Sequence, residues 1–216
     1  MVAETFQSYI GRISKASINV NQEHLDRLLD VLVNSGANSR IFVCGNGGSA
    51  STAEYFSADF GTGSRRIGRG LAVTCLSSNT SILTQIANDL DYSNIFAAQI
   101  ELEAKEGDLL VVFTASGNSP NVISAISQAS RQGLTTVAFT GFDSGTVKER
   151  ADISIHVETS IGEYGVVEDI HLSLTHYLAD RFRIAVAPSS ENMSVPLHDL
   201  IKARPIGSLR SNQREN

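Results

Sequence analysis

The sequence predicts an α/β domain built on a parallel sheet covered by helices on both faces, and three observations carry that expectation. Short apolar runs recur along the chain, each ends in a turn of glycine or small hydroxyl residues, and most of the turns lead into a segment of helical periodicity. Runs that are apolar throughout, rather than alternating with polar residues, fit strands buried on both sides, as right-handed crossover connections require.

Taken in order, residues 1–36 read as a helical arm, because Ile10, Ile13, Ile18, Leu25, Leu28, Leu29 and Leu32 recur at spacings of three to four or their sums. Such an arm packs on its own domain or on another subunit. The first strand is 40–44, followed by the glycine loop 45–49 and a helix through Phe60. Strands then follow at 71–75, 108–113, 135–140 and 153–157, with hydroxyl-rich loops at 77–81 and 114–119. A last long helix spans 166–184. Beyond it, a polar turn, Pro196 and Pro205 mark a tail, 185–216, expected to be mobile apart from a short helix near 197–203. The organisation is therefore an arm, one domain over 37–184, and the tail.

Composition narrows the function. The 216 residues, 42% hydrophobic and 19% charged, support one sizeable core and exclude a mainly disordered chain. A net charge of -6 and a pI near 5.3 argue against direct nucleic-acid binding or membrane association through bulk charge. The first residues lack a basic segment followed by an apolar run, and no stretch approaches the ~18 apolar residues of a span, so a cytoplasmic protein is expected. Cys44 and Cys75 sit inside apolar runs, which predicts reduced, buried thiols.

In an open parallel sheet ligands bind beyond the carboxyl ends of the strands. The segment Thr114-Ala115-Ser116-Gly117-Asn118-Ser119 sets three hydroxyls and a glycine before a helix, a cradle for an anion without a lysine. The plainer reading makes Ser119 a helix cap and Gly117 a turn residue. Gly45-Asn46-Gly47-Gly48-Ser49-Ala50 lacks both the Gly-x-Gly-x-x-Gly spacing and the Gly-Lys-Ser/Thr of a P-loop, so no nucleotide cofactor is expected. Tyr55 and Asp59 are four apart and face one way; Asp169 and His176, seven apart, share a helix face with Glu168 to the side. His24 and His156 have no evident partner, and Arg65, Arg66 and Arg69 form a basic loop that is either solvated or meets an anion.

These motifs, with Asn79-Thr80-Ser81-Ile82-Leu83-Thr84, Ile86-Ala87-Asn88-Asp89 and Glu168-Asp169-Ile170-His171 followed by His176, resemble the sugar isomerase (SIS) domain. More narrowly the chain is similar to the phosphoheptose isomerase branch, which also contains the DnaA initiator-associating protein. The resemblance implies a flavodoxin-like three-layer fold with a five-stranded sheet and a homotetramer with active sites between subunits. It implies a phosphosugar substrate, converted from sedoheptulose 7-phosphate to glycero-manno-heptose 7-phosphate in surface polysaccharide precursor synthesis, usually with zinc. On this sequence the phosphate falls to Thr114, Ser116, Asn118 and Ser119, and the sugar to Asn46, Gly47, Ser49 and Asp89. Asp59 and His176 become the acid/base pair, with either as the base, and Asp59, Glu168 and His176 the metal ligands. The chain departs from the family pattern at Asp59, Tyr55, Glu168 and Gly165, where a glutamate, a histidine, a glutamine and an aspartate are usual. A non-catalytic phosphosugar-binding or replication-regulatory protein is the alternative.

Overall fold

The computed structural model describes residues 4–36, 38–64 and 69–187. Five parallel strands, β1 (Arg40–Gly45), β2 (Ala72–Cys75), β3 (Leu109–Thr114), β4 (Thr135–Phe142) and β5 (Ile153–Glu158), lie in the order β2-β1-β3-β4-β5. Strand order reverses between β1 and β3, which opens a crevice at their carboxyl ends.

The helices are α1 (Phe6–Ser17), α2 (Gln22–Asn34), α3 (Gly48–Ser57), α4 (Thr80–Asp89), α5 (Ala97–Glu103), α6 (Pro120–Arg131), α7 (Gly145–Arg150) and α8 (Tyr164–Val186). Strand residues alternate between two cores. Ile41, Val43, Leu109, Val111, Phe113, Val137 and Phe139 pack with α2, α3 and α8, whereas Phe42, Cys44, Leu110, Val112 and Ala138 pack with α5, α6 and α7. Both faces of the sheet are thus filled by the period-two alternation of a continuous apolar run. Among the described residues, no helix is long and apolar enough to cross a membrane.

Two expectations change. Residues 1–36 do not form one helix: Asn21 is extended and its side chain accepts from the backbone N–H groups of Glu23 and His24, which starts α2 afresh. Helix α2 is a layer of the domain rather than an arm, since Leu25, Leu28, Leu29 and Leu32 are all core residues. Helix α1 lies over α8 and β5 through Tyr9, Ile13 and Ala16 and buries none of its side chains fully. The second change is at Ala58–Gly63, where the chain leaves α3 in a π-helical turn that carries Asp59. The tail from residue 188 and its expected short helix lie outside the described residues, as do Arg65 and Arg66.

His171, on α8, is fully buried between the Phe113 and Phe139 rings, with Nε2 3.3 Å from the Thr140 carbonyl and Nδ1 unpartnered. Burial pushes its pKa down to about 4, so the imidazole is neutral in the folded chain. The unfolded chain takes up that proton below about pH 6.5, so the stability tied to a neutral His171 is complete above that pH and is lost as pH falls toward 4. Denaturant melts should show up to about 3 kcal/mol of acid destabilisation from this group, and His171→Leu should remove that part of the slope. An unchanged slope would show that the ring is protonated in place.

Candidate active site

The β1 and β3 loops meet at the crevice. Gly47, at the start of α3, has φ 55°, and no side chain caps the helix. Asn46 turns toward α6: its Nδ2 donates to Asn121 Oδ1 at 2.9 Å, and Asn121 Nδ2 donates back to Asn46 Oδ1 at 2.8 Å. Asn121 is fully buried, so this reciprocal amide pair satisfies groups that would otherwise be orphaned. Tyr92 Oη also donates to Asn46 Oδ1 at 3.1 Å, and Ser77 both accepts from the Gly45 N–H and donates to its carbonyl. Asn46, expected at the sugar, has its amide engaged in joining the loops; Gly47 is exposed beside it and Ser49 is buried beneath.

The 114–119 loop is folded by its own hydroxyls. Thr114 Oγ1 accepts from Gly117 N at 3.2 Å and Ser116 Oγ from Asn118 N at 3.3 Å. Gly117 has φ 64°, and a Cβ there would collide with the Ser144 carbonyl, so only glycine lets the loop lie against residues 144–145. Asn118 Oδ1 accepts from the N–H and hydroxyl of Thr146, which ties the loop to α7. Ser119 stands at the N-cap of α6, but its hydroxyl caps nothing. The plain capping role is therefore not what its side chain performs, which leaves the Ser119 hydroxyl available to an anion at the helix start, next to Ser116.

Behind this loop His156 has partners that the sequence did not suggest. Its Nδ1 lies 3.1 Å from Thr140 Oγ1 and its Nε2 3.3 Å from Ser144 Oγ, and burial holds its imidazole below the usual histidine range. His24 Nδ1 likewise meets the Ser154 carbonyl at 2.6 Å. Asp89 is exposed at the last position of α4, where the helix dipole disfavours a carboxylate, and the turn after it is tethered to the glycine loop through Tyr92. Arg69 donates to the Ser35 carbonyl at 2.6 Å, which fixes it beside the end of α2.

The titratable groups lie where α3 and its π-turn run along α8. A Cβ on Gly48 would overlap both carboxylate oxygens of Glu168, so that side chain rests on the first residue of α3. Burial, then the charge of Asp169, raises the Glu168 pKa above the usual carboxylate range. Further along, the exposed His176 meets Tyr55 edge-on, with ring centroids 5.9 Å apart. Asp59 Oδ1 then accepts from Arg183 Nη2 at 3.1 Å, while Arg183 Nη1 reaches Asp180 at 2.9 Å. Tyr55 and Asp59 both face α8, as their spacing predicts. Asp169, however, turns to α1 and accepts from Tyr9 Oη at 2.6 Å, so it is Glu168 and not Asp169 that shares the α3 side with His176. Arg183 escaped the sequence reading; the one signal was its spacing of seven after His176, the interval that repeats a helix face.

These donors do not fit a zinc ion within one chain. Asp59 is held by a guanidinium, and Glu168 and His176 are eight residues apart on α8, about 12 Å of rise. Among the described residues, no three carboxylate, imidazole or thiol groups are placed to share a metal.

The SIS domain model matches residues 5–141. A probable phosphoheptose isomerase of Thermoplasma acidophilum is 34% identical over 80% of this chain and 94% of its own length. The Helicobacter pylori phosphoheptose isomerase is 36% identical over 77% of this chain and 86% of its own. Among solved structures, the phosphoheptose isomerase of Neisseria gonorrhoeae superposes with a TM-score of 0.71 at 28% identity, covering 82% of this chain and 98% of that one.

Replacing Ser116 and Ser119 together by alanine should weaken binding of a small sugar phosphate by about 3 kcal/mol, since each hydrogen bond to a charged group contributes about 1.5 to 3 kcal/mol. Calorimetric titration checks this; unchanged affinity would remove the loop from the phosphate site.

Proposed function

The chain belongs to the SIS-domain family, in its phosphoheptose isomerase branch, and we propose that it interconverts sedoheptulose 7-phosphate and glycero-manno-heptose 7-phosphate. In that reading it is a phosphosugar isomerase of heptose biosynthesis, supplying lipopolysaccharide or capsule precursors in the cytoplasm. The observation that carries the proposal is the Asn46–Asn121 amide pair, which joins the glycine loop to a hydroxyl loop whose Ser119 side chain caps no helix. Phosphate at Ser116 and Ser119 would leave the sugar to extend toward Gly47 and Gly48.

Aldose–ketose isomerisation moves one proton between adjacent carbons and another between their oxygens, through an enediol. In our reading Asp59 and His176 contribute acid–base groups to this exchange. Tyr55 and His176 are exposed where α3 meets α8, and Tyr177 and Ile184 are exposed elsewhere along α8, apolar surface of the kind a second copy covers. A homotetramer with sites completed across subunit boundaries accounts for that surface and for Phe6, Ile10 and Ile18, which α1 leaves bare. Because the donors of one chain do not converge on a metal, no step is assigned to zinc.

Two outcomes are expected. His176→Ala should fold and bind phosphosugar yet lower kcat by about two orders of magnitude, as loss of general acid–base catalysis does; full turnover by the variant would remove His176 from the chemistry. Light scattering at micromolar concentration should give four times the 23.2 kDa chain mass, and a monomeric mass would rule out sites shared between subunits.

A further inference from the structure

Glu168 differs from the neighbouring carboxylates: Glu163 is paired with Arg12, Asp169 with Tyr9 and Asp59 with Arg183, whereas among the described residues no hydrogen bond or ion pair engages the Glu168 carboxylate. Its two oxygens instead occupy the space over Gly48, at the first residue of α3 and beside the loop that Asn46 joins to the phosphate cradle. Glycine at 48 is what lets a carboxylate come this close, and Gly47 and Gly48 are both exposed there. A sugar anchored by its phosphate at Ser116 and Ser119 and lying along this loop would present its carbons to Glu168 of the same chain.

Asp59 is engaged by a largely buried guanidinium, its carboxylate oxygen accepting from Arg183, whereas the Glu168 carboxylate stands over the exposed start of α3 beside the glycine loop. We infer that Glu168 is a further catalytic residue of the isomerisation, the carboxylate that carries the carbon-bound proton. This rests on the isomerase reading and divides its labour. Glu168 takes a proton from the carbon next to the carbonyl; the C–H electron pair becomes the double bond of the enediol, and the carbonyl pair moves to oxygen, where an acid group protonates it. Glu168 then returns its proton to the neighbouring carbon as the hydroxyl on the first carbon gives up its own and becomes the new carbonyl. One carbon is oxidised as its neighbour is reduced, so no external electron carrier is needed. His176 and Asp59 are left with the oxygen-bound proton.

The competing role for Glu168 is purely structural, a negative charge favourably placed at the positive start of α3. The two roles separate in a comparison of wild type, Glu168→Gln and Glu168→Asp. Each would be followed for kcat, KM, thermal midpoint and uptake of solvent deuterium into the sugar carbons. The catalytic role predicts that Glu168→Gln loses at least a hundredfold in kcat and in deuterium uptake while KM stays within about threefold. Glu168→Asp, which keeps the charge but shortens the reach, should fall between the two and provides the reading if the glutamine variant does not fold. A Glu168→Gln enzyme within fivefold of wild-type kcat, or losses confined to thermal midpoint and KM, would overturn the assignment and leave the isomerase reading standing. Wild type without turnover on any heptose, hexose or pentose phosphate would remove both.

Discussion

The arrangement depends on how closely the loops at the carboxyl edge of the sheet approach one another. Two positions set that distance. At Gly117 the β3 loop lies against the Ser144 carbonyl, and at Gly48 the start of α3 lies against the Glu168 carboxylate. A methyl group at Gly117 would press on backbone and force it away by about an ångström or more, which close-packed interiors have no slack to absorb; at the exposed Gly48 it would displace the Glu168 side chain from the start of α3. The Asn46–Asn121 pair needs both loops in place, since its two bonds, 2.9 and 2.8 Å, weaken steeply with misalignment. The steric absence of side chains thus comes first, and the hydrogen bonds that shape the site follow from it.

What the sequence revealed divides along this line. Strands, glycine turns and helix periodicity are local signals, and all five strands stand within two residues of their predicted limits. The strand–loop–helix joint at 114–119 was legible for the same reason, since a glycine among small hydroxyl residues between an apolar strand and a helix marks a tight turn. The pairings that define the titratable groups are not local. Tyr9 with Asp169 and Asp59 with Arg183 join residues 160 and 124 positions apart, and nothing in the spacing of either member announces the other. The break at Asn21 was legible in principle, as an asparagine two residues before a glutamate at the head of an apolar pattern, but the periodicity on either side obscured it.

The π-turn at Ala58–Gly63 marks the limit of inference from helix faces. Spacing of four places Tyr55 and Asp59 on one side of an α-helix, and both do turn toward α8. Yet Tyr55 meets His176 and Asp59 meets Arg183, seven residues further on. Helical periodicity gives the direction of a side chain; the length over which two helices run side by side decides which partner it finds.

That length also bears on how the site is assembled. Helix α8 has 23 residues, about 35 Å of rise, and presents different groups to α3 along the way: Glu168 at the glycine loop, His176 against Tyr55 about 12 Å further on, and Arg183 on Asp59 about 10 Å beyond that. A heptose phosphate is short compared with this span. One chain can therefore offer its own ligand the Glu168 end of α8, while the His176 end faces outward among exposed apolar residues. In the proposed tetramer a second copy covering the exposed His176 end would bring groups of another chain to this site, so that oligomerisation would serve catalysis as well as burial.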